Sequence, residues 1–234
     1  MKQFQNIWMP DTEVELIEWM KTSGQIVDGK GTYQYPKLQA AMSLCMQFRT
    51  AIDQGSHVGL WTMHLAKWFN FVVCVEPLAH LRECWHANMA DNPHLSKCSL
   101  EAFALGKGFG RVRMMTNPAA GGDSWIETPD ATKRVIYGHT AEPVGDMIDM
   151  VTIDALELNE VDFIKLDAEG YEENIARGAE ETIALSRPVI VIEQKHAMAR
   201  KFGLEPRGGV TYLHERHNYR VAKEMSGDFI MVPM

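Results

Sequence analysis

Acidic residues stand at the ends of three predicted strands, where they could bind a small polar ligand. Asp53 lies near the end of TAIDQ, Glu76 ends FVVCVE, and Asp167 ends VDFIKLD. Long apolar runs of this kind are typical of parallel strands that helices cover on both faces. The carboxyl ends of such strands meet at one edge of the sheet, and ligands bind there. Phe103 and Glu193 end two further predicted strands, so the chemistry is expected beside these five residues.

The turn DQGSHVG follows the first of these strands. Its pattern, D-x-G-x-x-x-G, differs from the G-x-G-x-x-G of dinucleotide-binding proteins. Gly55 would let the backbone approach a ligand closely, and Gly59 would start the next helix tight against the sheet. A carboxylate at Asp53 repels a pyrophosphate but attracts an ammonium or a hydroxyl group. The turn therefore predicts a ligand with a cationic part, although an ordinary strand-to-helix turn would look similar.

The second acidic residue, Glu76, follows Asp53 by 23 positions and precedes Pro77. An acid at the tip of the second strand is where a ribose diol is held, because one carboxylate can accept both hydroxyl protons. Taken alone, Glu76 before Pro77 could also cap a helix. Together with Asp53 it favours an adenosine ligand that carries no phosphate on the ribose.

The third strand end, KLDAEG, is the most specific motif. Gly170 lets the chain turn sharply into a helix rich in early acidic residues. This strand is expected beside the first one, across the point where the strand order reverses. Asp167 and Glu169 should then face the reacting group. Lys165, inside the strand, could be a buried charge partner or a solvated strand end.

Alternating strand and helix signals from Thr50 onward predict a doubly wound α/β fold with about seven mostly parallel strands. The tail, YRVAKEM and DFIMVPM around Ser226-Gly227, predicts a closing antiparallel hairpin. Residues 1–48 are expected to form a short helical extension before the main domain, residues 49–234. The further predicted elements are helices over Glu13 to Lys21, Lys37 to Phe48, Glu172 to Leu185 and Thr211 to His217, and extra strands at GRVRMMT and KRVIYG around a loop, NPAAGGDSWIETPD.

The bulk composition limits the partners and the compartment. The chain has 234 residues and a formal net charge of −8, which disfavours general binding to nucleic acid. The basic stretch from Lys195 to Lys223 could still meet an anionic substrate, or could be a solvated helix face. No run of eighteen apolar residues and no signal peptide is evident, so a cytoplasmic protein without a membrane contact is expected. The four cysteines include no C-x-x-C pair, which favours free thiols over a zinc site.

The chain resembles the FkbM family of S-adenosylmethionine-dependent methyltransferases. The resemblance runs from about Arg49 to Met234 and rests on AIDQGSHVGLWTMHLA, on VVCVEP with Asn88 after it, and on VDFIKLDAEGYEENIARGAEETIALSRPVIVIE. It implies a class I methyltransferase fold with strand order 3-2-1-4-5-7-6 and S-adenosyl-L-methionine as cofactor. It also implies O-methylation, often of a hydroxyl on a sugar or natural product.

The resemblance assigns roles to particular positions. Asp167 and Glu169 are predicted as catalytic residues, and the turn, the ribose acid and the neighbouring strand ends are predicted to bind the cofactor. In this chain Gln54, Ser56 and His57 replace the family's usual small residues at the methionine end of the cofactor. The predicted cofactor-binding residues are Asp53, Gln54, Gly55, Ser56, His57, Gly59, Glu76, Pro77, Phe103, Ala104 and Asp167.

For the transfer itself, Asp167 is expected nearest the acceptor, as general base or as the group that orients the hydroxyl. Glu169 and Glu193 are alternates, and His57 or His196 could serve if loops bring them close. A divalent metal held by Asp167 with Glu169 or Glu193 could assist but is not expected. The acceptor is expected to be a small molecule or carbohydrate, chosen by the segment before Arg49 and by NPAAGGDSW. A nucleotide or nucleic-acid methyltransferase is the alternative, followed by a dehydrogenase or a non-catalytic cofactor-binding protein; no oligomeric state is predicted.

Overall fold

A seven-stranded sheet crosses the centre of the protein. The computed structural model describes residues 1–128, 135–136, 138–195 and 198–234. Within these residues the helices are α1 Glu15–Ser23, α2 Tyr35–Met42, α3 Thr62–Trp68, α4 Ala79–Met89, α5 Glu172–Arg177, α6 Glu180–Ser186 and α7 Gly208–His217. The strands are β1 Lys2–Phe4, β2 Ile7–Met9, β3 Ile26–Val27, β4 Lys30–Gly31, β5 Thr50–Gln54, β6 Phe71–Val75, β7 Cys98–Glu101, β8 Ala104–Leu105, β9 Gly110–Asn117, β10 Ala120–Ile126, β11 Val135–Ile136, β12 His139–Thr140, β13 Glu142–Val151, β14 Val161–Leu166, β15 Val189–Glu193, β16 Tyr219–Met225 and β17 Asp228–Pro233.

The strand order of the large sheet is β16-β17-β15-β14-β5-β6-β7. Counting only the strands of this sheet in chain order, the sequence across it is 6-7-5-4-1-2-3, which confirms the predicted class I order. The central strands are parallel, whereas β17 runs antiparallel to both β15 and β16. The predicted C-terminal hairpin is therefore confirmed. The order changes direction between β5 and β14, so the loops after these two strands open a crevice between them.

Alternate residues of the central strands enter two apolar layers. Ala51 and Phe163 belong to one cluster of buried side chains, and Ile52 and Ile164 belong to the cluster on the other face. This period of two follows from the strand geometry, and helices cover both faces. All six residues of β14 are buried; four of them are apolar, and the two charged ones, Asp162 and Lys165, pair with Arg49 and Asp167.

The N-terminal residues pack into the same core as the sheet. Ile7, Met9, Leu16 and Leu38 lie in the buried cluster that contains Phe163. Residues 1–48 therefore contribute side chains to the interior of the main fold. The division into an extension at residues 1–48 and a methyltransferase domain at 49–234 stays a prediction.

The middle of the chain forms a second sheet, with order β10-β9-β13-β8. The predicted loop NPAAGGDSWIETPD is wrong over its centre, because Ala120–Ile126 is strand β10 and pairs with β9. The long strand β13 was not predicted. Pairing with β9 decided both strands, since Trp125 of β10 lies opposite Met115 and Val144 of β13 lies opposite Met114. The predicted strand KRVIYG falls only partly on described residues, which include the short strand β11.

The helix predicted from Glu172 to Leu185 is two helices, α5 and α6. The carboxylate of Asp154 accepts the backbone N–H groups of Glu181 and Thr182, at 3.0 and 2.8 Å, and so starts α6. This cap comes from a distant part of the chain, so local sequence could not reveal it. Among the described residues, no helix has both the length and the apolar character that crossing a bilayer requires.

Candidate active site

A cavity of about 330 Å³ opens at the carboxyl ends of the parallel strands. Its floor comes from the residues that follow β5, β6 and β14, and its further walls include parts of the N-terminal segment, of β10 and of the end of β15. The predicted residues that line it are Gln54, Gly55, Ser56, His57, Glu76, Pro77, Ala104, Asp167 and Glu169.

The glycine turn after β5 is held against the neighbouring strands by backbone contacts. The N–H groups of Gly55 and Ser56 donate to the carbonyl oxygen of Val75, at 3.1 and 3.2 Å. Gly55 has a φ of +70°, and a Cβ atom there would lie 2.3 Å from the carbonyl oxygen of Asp167. Only glycine fits this position, because the conformation is left-handed and the backbone of β14 leaves no space.

Glu76 is 5% exposed and anchors the same turn. Its Oε2 accepts the N–H of His57 at 3.0 Å, and its Oε1 accepts the N–H of Leu78 at 2.9 Å. Burial raises the pKa of Glu76 to about 7, although both hydrogen bonds oppose that rise. Its carboxyl group lines the cavity and still has acceptor capacity, so it can take further hydrogen bonds from a ligand.

Lys165 ties β5 and β14 together beneath the turn. Its buried Nζ donates to the carbonyl oxygens of Gln54 and Gly55, at 3.3 and 3.0 Å. The same atom lies 3.0 Å from Asp167 Oδ2 and 3.8 Å from Asp53 Oδ1. Of the two alternatives left open by the sequence, the structure therefore selects the buried charge partner.

Asp167 is an ionised carboxylate at the edge of the cavity. Burial opposes its ionisation, but Lys165 and Lys195 outweigh burial and lower its pKa to about 2. Its backbone N–H donates to Gln54 Oε1 at 2.6 Å, which fixes the end of β14 against the glycine turn. Asp167 therefore presents a fixed negative charge to whatever occupies the cavity.

Asp167, Glu169 and Glu193 form an acidic cluster, with one carboxylate oxygen from each lying within 4.8 Å of the others. Burial and the charge of Asp167 raise the pKa of Glu193 to about 8. Burial and the charges of Glu193 and Asp167 also raise the pKa of Glu169. These three residues could offer oxygen ligands to a metal, but Lys165 already pairs with Asp167 and Lys195 with Glu193.

Several buried polar atoms on the cavity wall find no hydrogen-bond partner among the described residues. They are Ser56 Oγ, His57 Nε2 and Trp61 Nε1. Burial, together with Lys165, lowers the pKa of His57 to about 4, so its imidazole is neutral. Buried polar groups are almost always satisfied, so these atoms fit a wall that a polar ligand completes.

Three predicted cofactor-binding residues do not line the cavity. Asp53 is fully buried, and its Oδ2 accepts the hydroxyl of Thr62 at 2.7 Å. Gly59 lies against Trp85, where a Cβ atom would be 2.9 Å from Cδ1. Phe103 packs on the apolar cluster under the sheet. These three residues lie behind the turn and the strand ends and pack against them. His196, which was predicted as an alternative base, lies outside the described residues.

Other cavity residues were not singled out from the sequence. The N-terminal segment supplies Glu13, Glu15, Leu16, Trp19 and Tyr33, and β10 supplies Gly121 to Ile126. Trp61, just before α3, also lines the cavity. Glu13 joins two of these parts, because its carboxylate accepts the N–H of Leu16 at 2.9 Å and that of Gly121 at 2.8 Å. No local motif marks these residues, although both segments had been named as places where the acceptor would be chosen.

A search of the curated proteins found no significant match. Among solved structures, the FkbM methyltransferase from Methylobacillus flagellatus KT superposes with a TM-score of 0.54 at 20% identity, covering 86% of this chain and 48% of that one. The chain thus spans about half the length of that protein, and the likeness shows the fold alone.

Two other solved structures have lower scores. The O-methyltransferase from Bacillus cereus in complex with SAH has a TM-score of 0.49 and 15% identity, over 94% of this chain and 89% of that one. The precorrin-6y C5,15-methyltransferase from Geobacter metallireducens GS-15 has a TM-score of 0.48 and 14% identity, over 97% and 96%.

The family comparison is stronger. The model of the methyltransferase FkbM domain matches residues 53–221, which is most of the chain. The match includes the glycine turn, Glu76 and the Asp167 strand end, which are the parts that build the cavity floor. The chain belongs to the FkbM methyltransferase family.

Proposed function

We propose that the protein transfers a methyl group from S-adenosylmethionine to a hydroxyl oxygen of a small molecule or carbohydrate. The single observation that carries this proposal is the cavity between the glycine turn and the acidic cluster, with Glu76 on one side and Asp167 on the other. When bound, the cofactor supplies a methyl group already activated on a sulfonium, so positioning of the acceptor provides much of the rate.

The cofactor would be held by the turn and the strand ends. Gly55 allows the backbone to approach it closely, and Glu76 can accept hydrogen bonds from the ribose hydroxyls. Ser56 Oγ and His57 Nε2, which no described residue partners, would serve its amino-acid end. The acidic surroundings suit a ligand that carries a net positive charge.

The acceptor hydroxyl would be oriented by Asp167 and deprotonated by Glu193. A carboxylate whose pKa is about 2 is a weak base, whereas a group with a pKa of about 8 is better matched to proton transfer near neutral pH. The cluster's oxygens lie within 4.8 Å of one another, so one hydroxyl could contact both Asp167 and Glu193. Asp167 therefore orients the hydroxyl, and Glu193 takes the role of base that the sequence had left as an alternate.

Nucleic acid is disfavoured as the acceptor because three cations of the basic stretch already pair with carboxylates. Arg207 lies 3.7 Å from Glu224, and Arg216 pairs with Glu180, so both are compensated on the surface. Lys195 lines the cavity but pairs with Glu193.

Calorimetry against S-adenosylhomocysteine and NADH tests the cofactor first. Binding of S-adenosylhomocysteine is expected, and binding of NADH in its place would reject the proposal. Transfer of labelled methyl from S-adenosylmethionine to panels of hydroxyl compounds and to RNA then tests the acceptor. If RNA is labelled and none of the small hydroxyl compounds is, the result would favour the alternative, a nucleic-acid methyltransferase.

The role of Asp167 is tested with Asp167→Asn. This variant should keep most of its affinity for S-adenosylhomocysteine but slow methyl transfer by about 100-fold, the scale expected when a reacting group is misplaced by about 1 Å. Asp149→Asn is the control, because Asp149 is an exposed aspartate that pairs with Arg111. Equal rates in the two variants would remove Asp167 from the transfer step.

A further inference from the structure

The charges on the cavity wall restrict the kind of acceptor that can enter. This inference rests on the proposed function, because it concerns the acceptor of the same site. Among the described lining residues there are two lysines, Lys165 and Lys195, and no arginine. The acidic lining residues are Glu13, Glu15, Glu76, Asp123, Asp167, Glu169 and Glu193.

Both lysines already form ion pairs with carboxylates. Lys165 Nζ lies 3.0 Å from Asp167, and Lys195 pairs with Glu193 while its Nζ lies 4.0 Å from Asp228. A phosphate or carboxylate on the acceptor would have to compete with these carboxylates for the same lysines. Because like charges repel strongly where water is excluded, an anionic acceptor is disfavoured at this wall.

Aromatic rings share the wall with the acidic residues. Trp19 and Tyr33, both from the N-terminal segment, pack with their ring centroids 4.6 Å apart. Trp125 of β10 has the ammonium group of Lys201 4.4 Å from its ring centroid. Aromatic faces and carboxylates both attract cations, so the two kinds of lining residue favour the same ligand charge.

Glu169 is the acid with the clearest free capacity. It is half-buried, and within the described chain it has no hydrogen bond and no cation at ion-pair distance. Asp167 and Glu193 lie beside it, and their charges disfavour its ionised form. A cation bound between these groups would relieve the repulsion that they exert on one another.

We propose that the acceptor is a hydroxyl compound that also carries a protonated amine, such as an amino sugar or amino alcohol, and that Glu169 binds its ammonium group. The hydroxyl would then reach Asp167 and Glu193, whose oxygens lie within 4.8 Å of those of Glu169. The aromatic residues of the N-terminal segment would cover the apolar part of the compound.

The test uses the protein loaded with S-adenosylhomocysteine and four sets of related compounds. Each set contains an amine, its neutral hydroxyl counterpart, its N-acetyl derivative and an acid, for example glucosamine, glucose, N-acetylglucosamine and glucuronate. Calorimetry at neutral pH should show amines binding at least about tenfold more tightly than their neutral counterparts, as expected for one added charge pair in a desolvated site.

Glu169→Gln should remove that preference and leave affinity for S-adenosylhomocysteine within about twofold. Glu157→Gln is the matched control, because Glu157 is exposed and shares the left-handed backbone of Glu169, with φ of +49° against +51°. The control should retain the full preference for amines.

Tighter binding of the neutral or acidic members, or failure of every amine to bind, would overturn the proposal. If S-adenosylhomocysteine still binds and neutral hydroxyl compounds are methylated, the proposed function is retained and only the preference for an amine is rejected. Absence of binding by S-adenosylhomocysteine would instead overturn the proposed function itself.

Discussion

A Cβ atom on Gly55 would lie 2.3 Å from the carbonyl oxygen of Asp167, so the turn after β5 and the end of β14 meet backbone against backbone. This contact places the glycine turn beside the acidic cluster. Lys165 strengthens it from below, because its ammonium group donates to the carbonyl oxygen of Gly55 and pairs with Asp167. The proposed cofactor and acceptor positions are therefore adjacent because two backbones are in contact.

Gly55→Ala should separate these two strand ends. The added methyl group has no space, so we expect a loss of unfolding free energy of about 2 to 4 kcal/mol and a loss of binding to S-adenosylhomocysteine. Gly203→Ala is a close control, because Gly203 also has a φ of +70° but nothing lies within 4 Å of its added Cβ. It should lose only about 1 kcal/mol, the cost of the left-handed conformation, in a denaturant titration. Equal losses in the two variants would contradict the steric explanation.

Binding of S-adenosylhomocysteine should depend on the ionisation of Glu76. Burial raises the pKa of Glu76 to about 7, and ribose hydroxyls would donate to its carboxylate form. Because binding then favours the deprotonated group, affinity should rise with pH below about 7, approaching tenfold per pH unit, and level off above it. S-adenosylhomocysteine has no sulfonium, so this measurement avoids the charge of the methyl donor.

Glu76→Gln provides the comparison for that titration, because glutamine cannot ionise. Calorimetry from pH 5.5 to 8.5 should show weaker binding and a flatter profile in the variant. An unchanged slope would mean that another group causes the pH dependence and that Glu76 is not in contact with the ribose.

Lys37 should be needed for stability although it lies outside the residues that match the family. It is 5% exposed in α2 and pairs with Asp228, which is 4% exposed at the start of β17. Lys37→Met leaves the buried carboxylate of Asp228 with Lys195, 4.0 Å away, as its one remaining ion-pair partner among the described residues, so we expect a loss of about 1 to 3 kcal/mol in unfolding free energy. Lys21→Met removes an exposed pair with Glu18 and should change stability by about 0.5 kcal/mol or less. Equal effects in the two titrations would contradict a structural role for the N-terminal segment.

Magnesium should have little effect on the protein. Lys165 and Lys195 already compensate two of the three acids that could ligate it, and Mg²⁺ requires several well-placed oxygen ligands. We expect the melting temperature and the affinity for S-adenosylhomocysteine to be the same with millimolar Mg²⁺ and with a chelator. Lys195→Met frees Glu193 and should be the variant that responds to Mg²⁺; a response in the unmodified protein would establish a metal site.

The local sequence was sufficient to predict the strands of the parallel sheet. Strands β6 and β15 have continuous apolar runs, and β5 and β14 have shorter ones, because both of their faces are buried, and a run of that kind can be recognised without knowing its neighbours. The second sheet could not be read in the same way. Strand β10 contains two glycines and an aspartate, and it became a strand only because it pairs with β9 across a tight turn.

The sequence by itself determined the class of fold, the glycine turn and the acids at the strand ends, since each depends on residue type and spacing along the chain, and the resemblance to the FkbM family implied the strand order. The tertiary structure alone decided which of these residues share a cavity. It placed Asp53 behind the turn on Thr62, made Lys165 a buried partner of Asp167, and brought Glu13 and Trp19 over the site. The physical reason is that burial and charge pairing depend on contacts between residues far apart in sequence, which no local pattern records.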